Sequence, residues 1–232
     1  MTLEQLIAAF REDSDDQARD VTGRSDDVLW SDTAVASWLT EAQEEAAIRK
    51  RLLPDATTVR VVPGQSGYPF TLFFEITRAE LFRVTDLTTV PVTTERRGCV
   101  LEVVSLDRMN EIDPDWRTER DAPRHLIQED SRILLPALIS RDYVLHLEGL
   151  RLPLKPFSAD NKNAKPEVAP VHHRFLVHWA LYRAYSKQDA DTLDASRASR
   201  ELGLFEQYFG LRPDADLRKD SRADEPHVNR CW

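Results

Sequence analysis

Cysteine is nearly missing from this chain: two residues, Cys99 and Cys231, among 232. One lies in a β-like stretch and the other beside the terminus, so no disulfide framework is indicated, and without a Cys-x-x-Cys pair the thiolate route to a metal is closed. Glycine is also scarce. Seven glycines and thirteen prolines fall short of any collagenous or low-complexity bias. The one glycine-containing loop that invites attention, Pro63-Gly64-Gln65-Ser66-Gly67, lacks the following lysine and helix that would cradle a nucleotide phosphate. Long apolar runs are missing too, none reaching the roughly eighteen residues of a membrane span. Met1-Thr2-Leu3-Glu4-Gln5 lacks the basic-then-apolar order of a secretory leader. A soluble, non-secreted protein with no membrane partner is expected.

Positive charge is in deficit. Thirty-one basic side chains against 40 acidic ones leave a formal charge of −9 and a pI near 5.2. A tight sequence-independent grip on a phosphate backbone needs a basic stripe, so a dedicated DNA reader is not expected, although net charge does not fix its local distribution. What the chain does have is an ordinary globular balance, 41% hydrophobic and 31% charged, enough for one large domain or two small ones with a real core.

Periodicity then divides it. Thr2 and Gln5 have capping-box spacing, followed by Leu3, Leu6, Ile7 and Phe10 on one helical face, which predicts a short helix to about Ala18. The polar stretch around Gly23-Arg24-Ser25-Asp26-Asp27 reads as a loop. Ser31 and Asp32 then start the strongest helix signal, with Trp30 placed to staple onto Val35. Val35, Trp38, Leu39, Ala42, Ala46 and Leu53 recur at three- and four-residue steps, Glu41, Glu44, Glu45, Arg49 and Lys50 take the other side, and Pro54 stops the run.

From Thr57 the period shortens toward two. Strands are predicted at residues 59–62, 70–76, 81–84, 100–104, 132–135 and 143–147, with a helical turn left open between Phe74 and Phe82. Lys155 to Pro170 carries three prolines and Asn161-Lys162-Asn163, and reads as an extended crossover. Val171, Phe175, His178, Trp179, Tyr182 and Tyr185 mark a buried helix face, and Ala195, Ala198, Leu202, Phe205 and Phe209 a second one, together a helical hairpin. Gly210, with Pro213 beyond it, predicts a left-handed stop. The fold class expected is α+β: helices at residues 1–56, a β-rich insertion at 57–154, the crossover at 155–170, the hairpin at 171–210 and an extended arm at 211–232. From Asp214 onward acids alternate with bases around only Leu217, Val228 and Trp232, too little to build a core. These three are the candidate anchors for a partner.

Chemistry is thin. His172, His173 and His178 are not at the i, i+4 step that puts two imidazoles on one helix face, and are read as structural; no metal and no cofactor is expected. Asp113, Asp115 and Glu119 around Trp116 are the only carboxylate group to weigh, and turn or cap roles are favoured for them over acid-base chemistry. Ser31, Ser105 and Ser140 lack a nucleophile-elbow context. Catalysis is not expected. The interleaved aromatics, among them Trp38, Phe175, Trp179, Tyr182 and Phe205, have core spacing.

The order of features is more telling than any one of them. Leu29-Trp30-Ser31-Asp32 leads into Trp38-Leu39-Thr40-Glu41-Ala42-Gln43-Glu44-Glu45. The β insertion follows with Asp113-Pro114-Asp115-Trp116-Arg117, and Leu152-Pro153-Leu154 precedes the crossover. Val171-His172-His173 then opens the hairpin, which carries Ala184-Tyr185 before Asp189-Ala190-Asp191. From Leu29 to Gly210 this resembles the head-to-tail adaptor proteins of short-tailed and related bacteriophages. The resemblance implies a structural role in the virion at the head–tail junction, assembled in the host cytoplasm. It implies a homo-oligomeric ring of about twelve copies beneath the portal protein, tail or nozzle proteins below it, and genomic DNA passing without sequence-specific binding. It also implies a carboxy-terminal arm that reaches onto the portal or a neighbour. Glu44, Glu45, Arg49, Lys50 and Arg51 are the candidate subunit-interface residues, since a head-to-tail ring needs two complementary patches per subunit. The rival readings are a tail-associated cell-wall glycosidase using Asp115 or Glu119, and an assembly chaperone or binding module.

Overall fold

The computed structural model describes residues 1–16, 28–88, 90–118, 123–136, 139–187 and 193–213. In chain order its elements are α1 (Leu3–Ser14), α2 (Asp32–Lys50), β1 (Pro54–Val61), β2 (Gly67–Pro69), β3 (Phe73–Asp86), β4 (Thr93–Thr94) and β5 (Cys99–Val104), then α3 (Leu106–Ile112), β6 (His125–Gln128), β7 (Arg132–Leu134), β8 (Tyr143–Arg151), a 3₁₀ turn (Pro170–His172), α4 (His173–Tyr185) and α5 (Ala195–Phe209). The fold is α+β. The chain forms two compact units, one from residues 1–53 with 152–212 and one from 54–151. Beyond Arg212 only Pro213 is described.

The helical unit is built from both ends of that span. Thr2 and Gln5 close the predicted capping box on α1, whose Leu3, Leu6, Ile7 and Phe10 are all buried. The helix ends at Ser14, short of Ala18, because Asp15 adopts a left-handed conformation at φ 58°. Ser31 caps α2 by accepting from the Ala34 N–H at 3.2 Å. Trp30 is buried and packs edge-on to Phe10 and Tyr185.

α4 buries a different stripe from the one its aromatics suggest. His173, Leu176, Val177, Ala180, Leu181, Ala184 and Tyr185 are buried, whereas Val171 is exposed and Phe175, Trp179 and Tyr182 lie half-buried on the flank. The physical reason is volume. Small residues let α4 approach its neighbours closely, and the large rings pack sideways, Phe175 stacking on Tyr208 and Trp179 lying 5.1 Å from Phe205.

The crossover from Leu152 to Ala169 has no helix or strand, yet its backbone is anchored throughout. Thr40 Oγ1 accepts from the Phe157 N–H at 2.9 Å, and the buried Gln43 accepts from the Glu167 N–H. In return the crossover satisfies the first amides of α1, with Leu3 N–H donating to the Ala164 carbonyl at 2.7 Å and Glu4 N–H to that of Lys162 at 3.0 Å. Those amides are orphans in any helix, and here another segment's carbonyls complete them.

In the other unit the strand order is β1-β8-β3-β5-β6-β7-β2, with β4 paired to β3. The segment from Phe74 to Phe82 is extended, not helical, inside the 14-residue β3. Among the described residues every pairing is antiparallel except β5 with β6. A parallel pair needs a crossover. The connection between them carries α3, and neither α3 nor β6 was announced by the residue pattern. β1 and β2 stand at opposite ends of the strand order, yet only residues 62–66 separate them. At about 3.5 Å per residue that linker reaches less than roughly 20 Å, so the sheet is curled. Inside lie Val61, Tyr68, Ile76, Leu81, Leu126, Ile133, Leu145 and Leu147. Two register shifts in β3 opposite β8 sharpen the bend. At the bend Gln128 Oε1 accepts from Ile76 N–H at 2.8 Å while its Nε2 donates to the Phe73 carbonyl at 3.0 Å. Gly149 is required there: a Cβ would sit 2.6 Å from both the Phe73 ring and the Glu75 carbonyl oxygen.

Candidate assembly interface

The last two turns of α2 carry the five residues nominated from the sequence, and they do not share one environment. Glu45 and Arg49 are four apart and pair along the helix at 3.1 Å. The Arg49 side chain is only 6% exposed. Its guanidinium lies 5.4 Å from the Trp179 ring centre and 5.3 Å from that of Phe205. From there Nη1 donates to Glu206 at 3.3 Å and to the Gly210 carbonyl at 3.2 Å. Three- and four-residue spacing on α5 brings Phe205, Glu206 and Phe209 to this point, so Arg49 ties the end of α2 to the end of α5 within one subunit.

Lys50 follows the same direction. Its ammonium donates to the Tyr208 carbonyl at 3.1 Å and lies 4.1 Å over the Tyr208 ring centre. Arg51 closes α2 in a left-handed conformation, φ 56°, and is exposed. Glu44 faces elsewhere, lining an open groove of about 390 Å³ with Thr40, Phe157 and Asp160. Burial raises the Glu44 carboxyl above its ordinary pKa, and the neighbouring charges of Glu41 and Glu45 push it the same way. Glu41 itself accepts from Arg183 at 3.2 Å.

Glu206, Gly210 and Arg212 complete this region and were not nominated. Glu45 Oε1 meets Arg212 at 3.3 Å while its other oxygen holds Arg49. Gly210 has the positive φ that its spacing to Pro213 predicts, 91°, but with ψ at 171°. The chain therefore turns out of the helix into extended backbone instead of completing a left-handed helical cap. The only signal that could have found the group is the placement of Arg49 opposite the end of α5, which spacing within one helix cannot show.

A second polar network holds the start of α2. Arg11 pairs with Asp16 at 2.9 Å and Asp32 at 2.7 Å, and the buried Asp16 accepts from the Leu29 N–H at 2.8 Å. The Arg11 guanidinium, helped by Lys162, holds the Asp32 carboxyl below its usual range against the opposing effect of burial.

The remaining candidates fall into place as follows. His173 is 2% exposed; its Nε2 lies 2.9 Å from the Val168 carbonyl and its Nδ1 2.7 Å from the Met1 amino group. Burial lowers its pKa, and the Met1 ammonium and Lys165 act in the same direction while its hydrogen bonds oppose them. His172 contacts the Tyr208 hydroxyl at 3.1 Å and His178 the Glu201 carboxylate at 2.7 Å. Asp113 and Asp115 shape a turn, the Asp115 N–H donating to Asp113 Oδ1 at 3.0 Å. Trp116 beside them is buried and donates its indole N–H to Asn110 at 3.0 Å. Glu119, Cys231 and the arm anchors Leu217, Val228 and Trp232 lie outside the described residues. Among the described residues, no group of histidine, cysteine and acidic side chains has the arrangement to hold a metal ion, and no helix is long and apolar enough to cross a membrane.

The model of a family described as SU10 adaptor protein matches residues 1–229 of the chain. No curated protein matches it.

Proposed function

The chain belongs to the SU10 adaptor protein family, and from that membership we propose that it connects head to tail in a phage particle. A phage adaptor is a structural protein, of a family that is not a known enzyme family. The finer reading is a ring of about twelve copies docked beneath the portal at the head–tail junction of the virion, assembled in the host cytoplasm. The ring continues the DNA channel, and tail components attach below. The family match across nearly the whole chain is the observation that carries this reading.

Charge supports it. About twelve copies at −9 give a ring charge on the order of −100, which repels a sliding polyanion instead of gripping it. Ring closure uses two different patches per subunit. Of the five nominated residues, Glu44 in its groove and the exposed Arg51 are the ones proposed to reach a neighbour. Glu45, Arg49 and Lys50 are proposed to act indirectly, by holding α2 and α5 together within the subunit. The arm beyond Pro213, with Leu217, Val228 and Trp232, is proposed to dock on the portal.

Mixing the purified chain with portal rings and sedimenting the mixture tests this reading. Comigration with the rings at a fixed stoichiometry is expected, and weaker comigration after truncation following Pro213. A chain that sediments alone at every ratio would overturn the assignment, and unchanged comigration of the truncated chain would remove the arm from it.

A further inference from the structure

We propose that Glu45 and Arg212 form a latch that fixes where, and in which direction, the C-terminal arm leaves the helical unit. The contacts close a ring. Glu45 Oε2 accepts from Arg49 Nε at 3.1 Å, Arg49 Nη1 donates to the Gly210 carbonyl at 3.2 Å, and two residues later Arg212 Nη1 returns to Glu45 Oε1 at 3.3 Å. The Gly210 N–H is itself held by the Glu206 carbonyl at 2.8 Å. A chain leaving a helix end normally samples many directions. Here residues 210 to 212 are pinned at two points to a guanidinium that is 6% exposed and to a carboxylate that is 14% exposed, which lie on a different helix. Residues 210 to 212 are therefore held against the side of α2 and not left at the free end of α5.

Each residue has a separate part. Gly210 supplies a turn at φ 91° that a side chain would strain. Arg49 is locked by Trp179, Phe205, Glu45 and Glu206 and is a fixed post. Arg212, 63% exposed, is the one reversible element, worth what a half-exposed ion pair is worth and screened by salt. The partner this serves is the one bound by the arm. Fixing the root removes part of the ordering entropy of docking and keeps the arm at a high effective concentration near its target. That consequence rests on the connector reading, whereas the latch itself does not.

A nitroxide label at position 214 (Asp214→Cys in a Cys99→Ser, Cys231→Ser background) reads the latch in the full-length chain. Its spectrum is expected to be motionally restricted, and Arg212→Gln or about 0.5 M NaCl to raise the mobile fraction about two- to five-fold. Arg108→Gln, on α3 of the other unit, is expected to leave it unchanged. Arg212→Gln is the decisive variant because Arg212 is 63% exposed, while Glu45→Gln also strips a partner from Arg49. Portal affinity is measured on the same variants, with a loss of about two- to five-fold expected for Arg212→Gln. An unchanged spectrum in Arg212→Gln overturns the latch, whatever happens to portal binding. A mobilised label combined with full portal binding by the chain truncated after Pro213 leaves the latch standing and overturns the arm-docking part of the connector reading.

Discussion

The Glu45–Arg49 pair allows a quantitative test of how the helical unit is held. Their atoms are 3.1 Å apart and their side chains are 14% and 6% exposed. At an effective dielectric of about 20 the gross attraction is about 5 kcal/mol. Removing the guanidinium from water offsets most of that. Glu206, the Gly210 carbonyl and two aromatic rings share the same cation, so the net coupling expected between Glu45 and Arg49 is about 1–2 kcal/mol. Single removal is more costly than the coupling. Arg49→Met leaves Glu45 with Arg212 alone, removes the Arg49 bonds to Glu206 and the Gly210 carbonyl and discards two cation–π contacts, for about 2–3 kcal/mol. A double-mutant cycle of Arg49→Met, Glu45→Gln and both, followed by urea unfolding, measures it. Because Trp30, Trp38 and Trp179 belong to the helical unit, a Trp116→Phe, Trp232→Phe background makes tryptophan fluorescence report that unit. A coupling below about 0.3 kcal/mol would refute the Glu45–Arg49 ion-pair account and leave Arg49 held by the rings, Glu206 and the Gly210 carbonyl.

Two further outcomes follow from buried polar groups. Burial lowers the pKa of His173, and of His172, where burial is again the main cause and the charges of Lys50 and His173 add to it. The unfolded chain, with histidines near 6.5, therefore binds protons that the folded chain refuses. Stability is full above the unfolded value and falls as pH drops through it toward the folded values. The urea midpoint of the helical unit should be lower at pH 5.5 than at pH 7.5, and His173→Gln should flatten that difference; a flat wild-type profile would contradict the assignment. In the β unit, Gln128→Ala leaves the Ile76 N–H and the Phe73 carbonyl without their side-chain partner at the bend and should cost about 1–3 kcal/mol. Gln128→Glu, which keeps an acceptor for Ile76 but loses the donor to Phe73, should cost an intermediate amount in the same denaturation assay.

How much of this was legible depends on whether the signal was local. The capping box of Thr2 and Gln5 and the Ser31 cap rest on contacts within a few residues, the strands predicted at residues 59–62, 100–104 and 143–147 carry their signal in local alternation, and the structure holds all of them, with β1 ending at Val61. The span from Phe74 to Phe82 was ambiguous because Glu75, Arg78 and Glu80 tolerate either state. Pairing with β8 along most of its length decides it, and pairing partners are not written in a strand's own sequence. α4 was read through its largest residues, but close approach selected Ala180 and Ala184 for the interior and put Trp179 on the flank. Arg49 looked like a solvated charge because a helix period cannot reveal that Trp179, Phe205 and Glu206 converge on it. The candidate interface was thus legible as a helix segment, but not in its division between inward-facing and outward-facing charges.

The dependence of α1 on carbonyls of Lys162 and Ala164 sets an order on biosynthesis. As the nascent polypeptide emerges, residues 54–151 are complete and able to pair their strands while α1 and α2 still lack α4 and α5, and α1 also lacks the segment that satisfies its first amides. The two N-terminal helices therefore wait with their apolar faces uncovered for about a hundred residues of translation, which at roughly 5–20 residues per second is about five to twenty seconds. That interval is when this chain is most exposed to chaperones and to premature association with its own siblings.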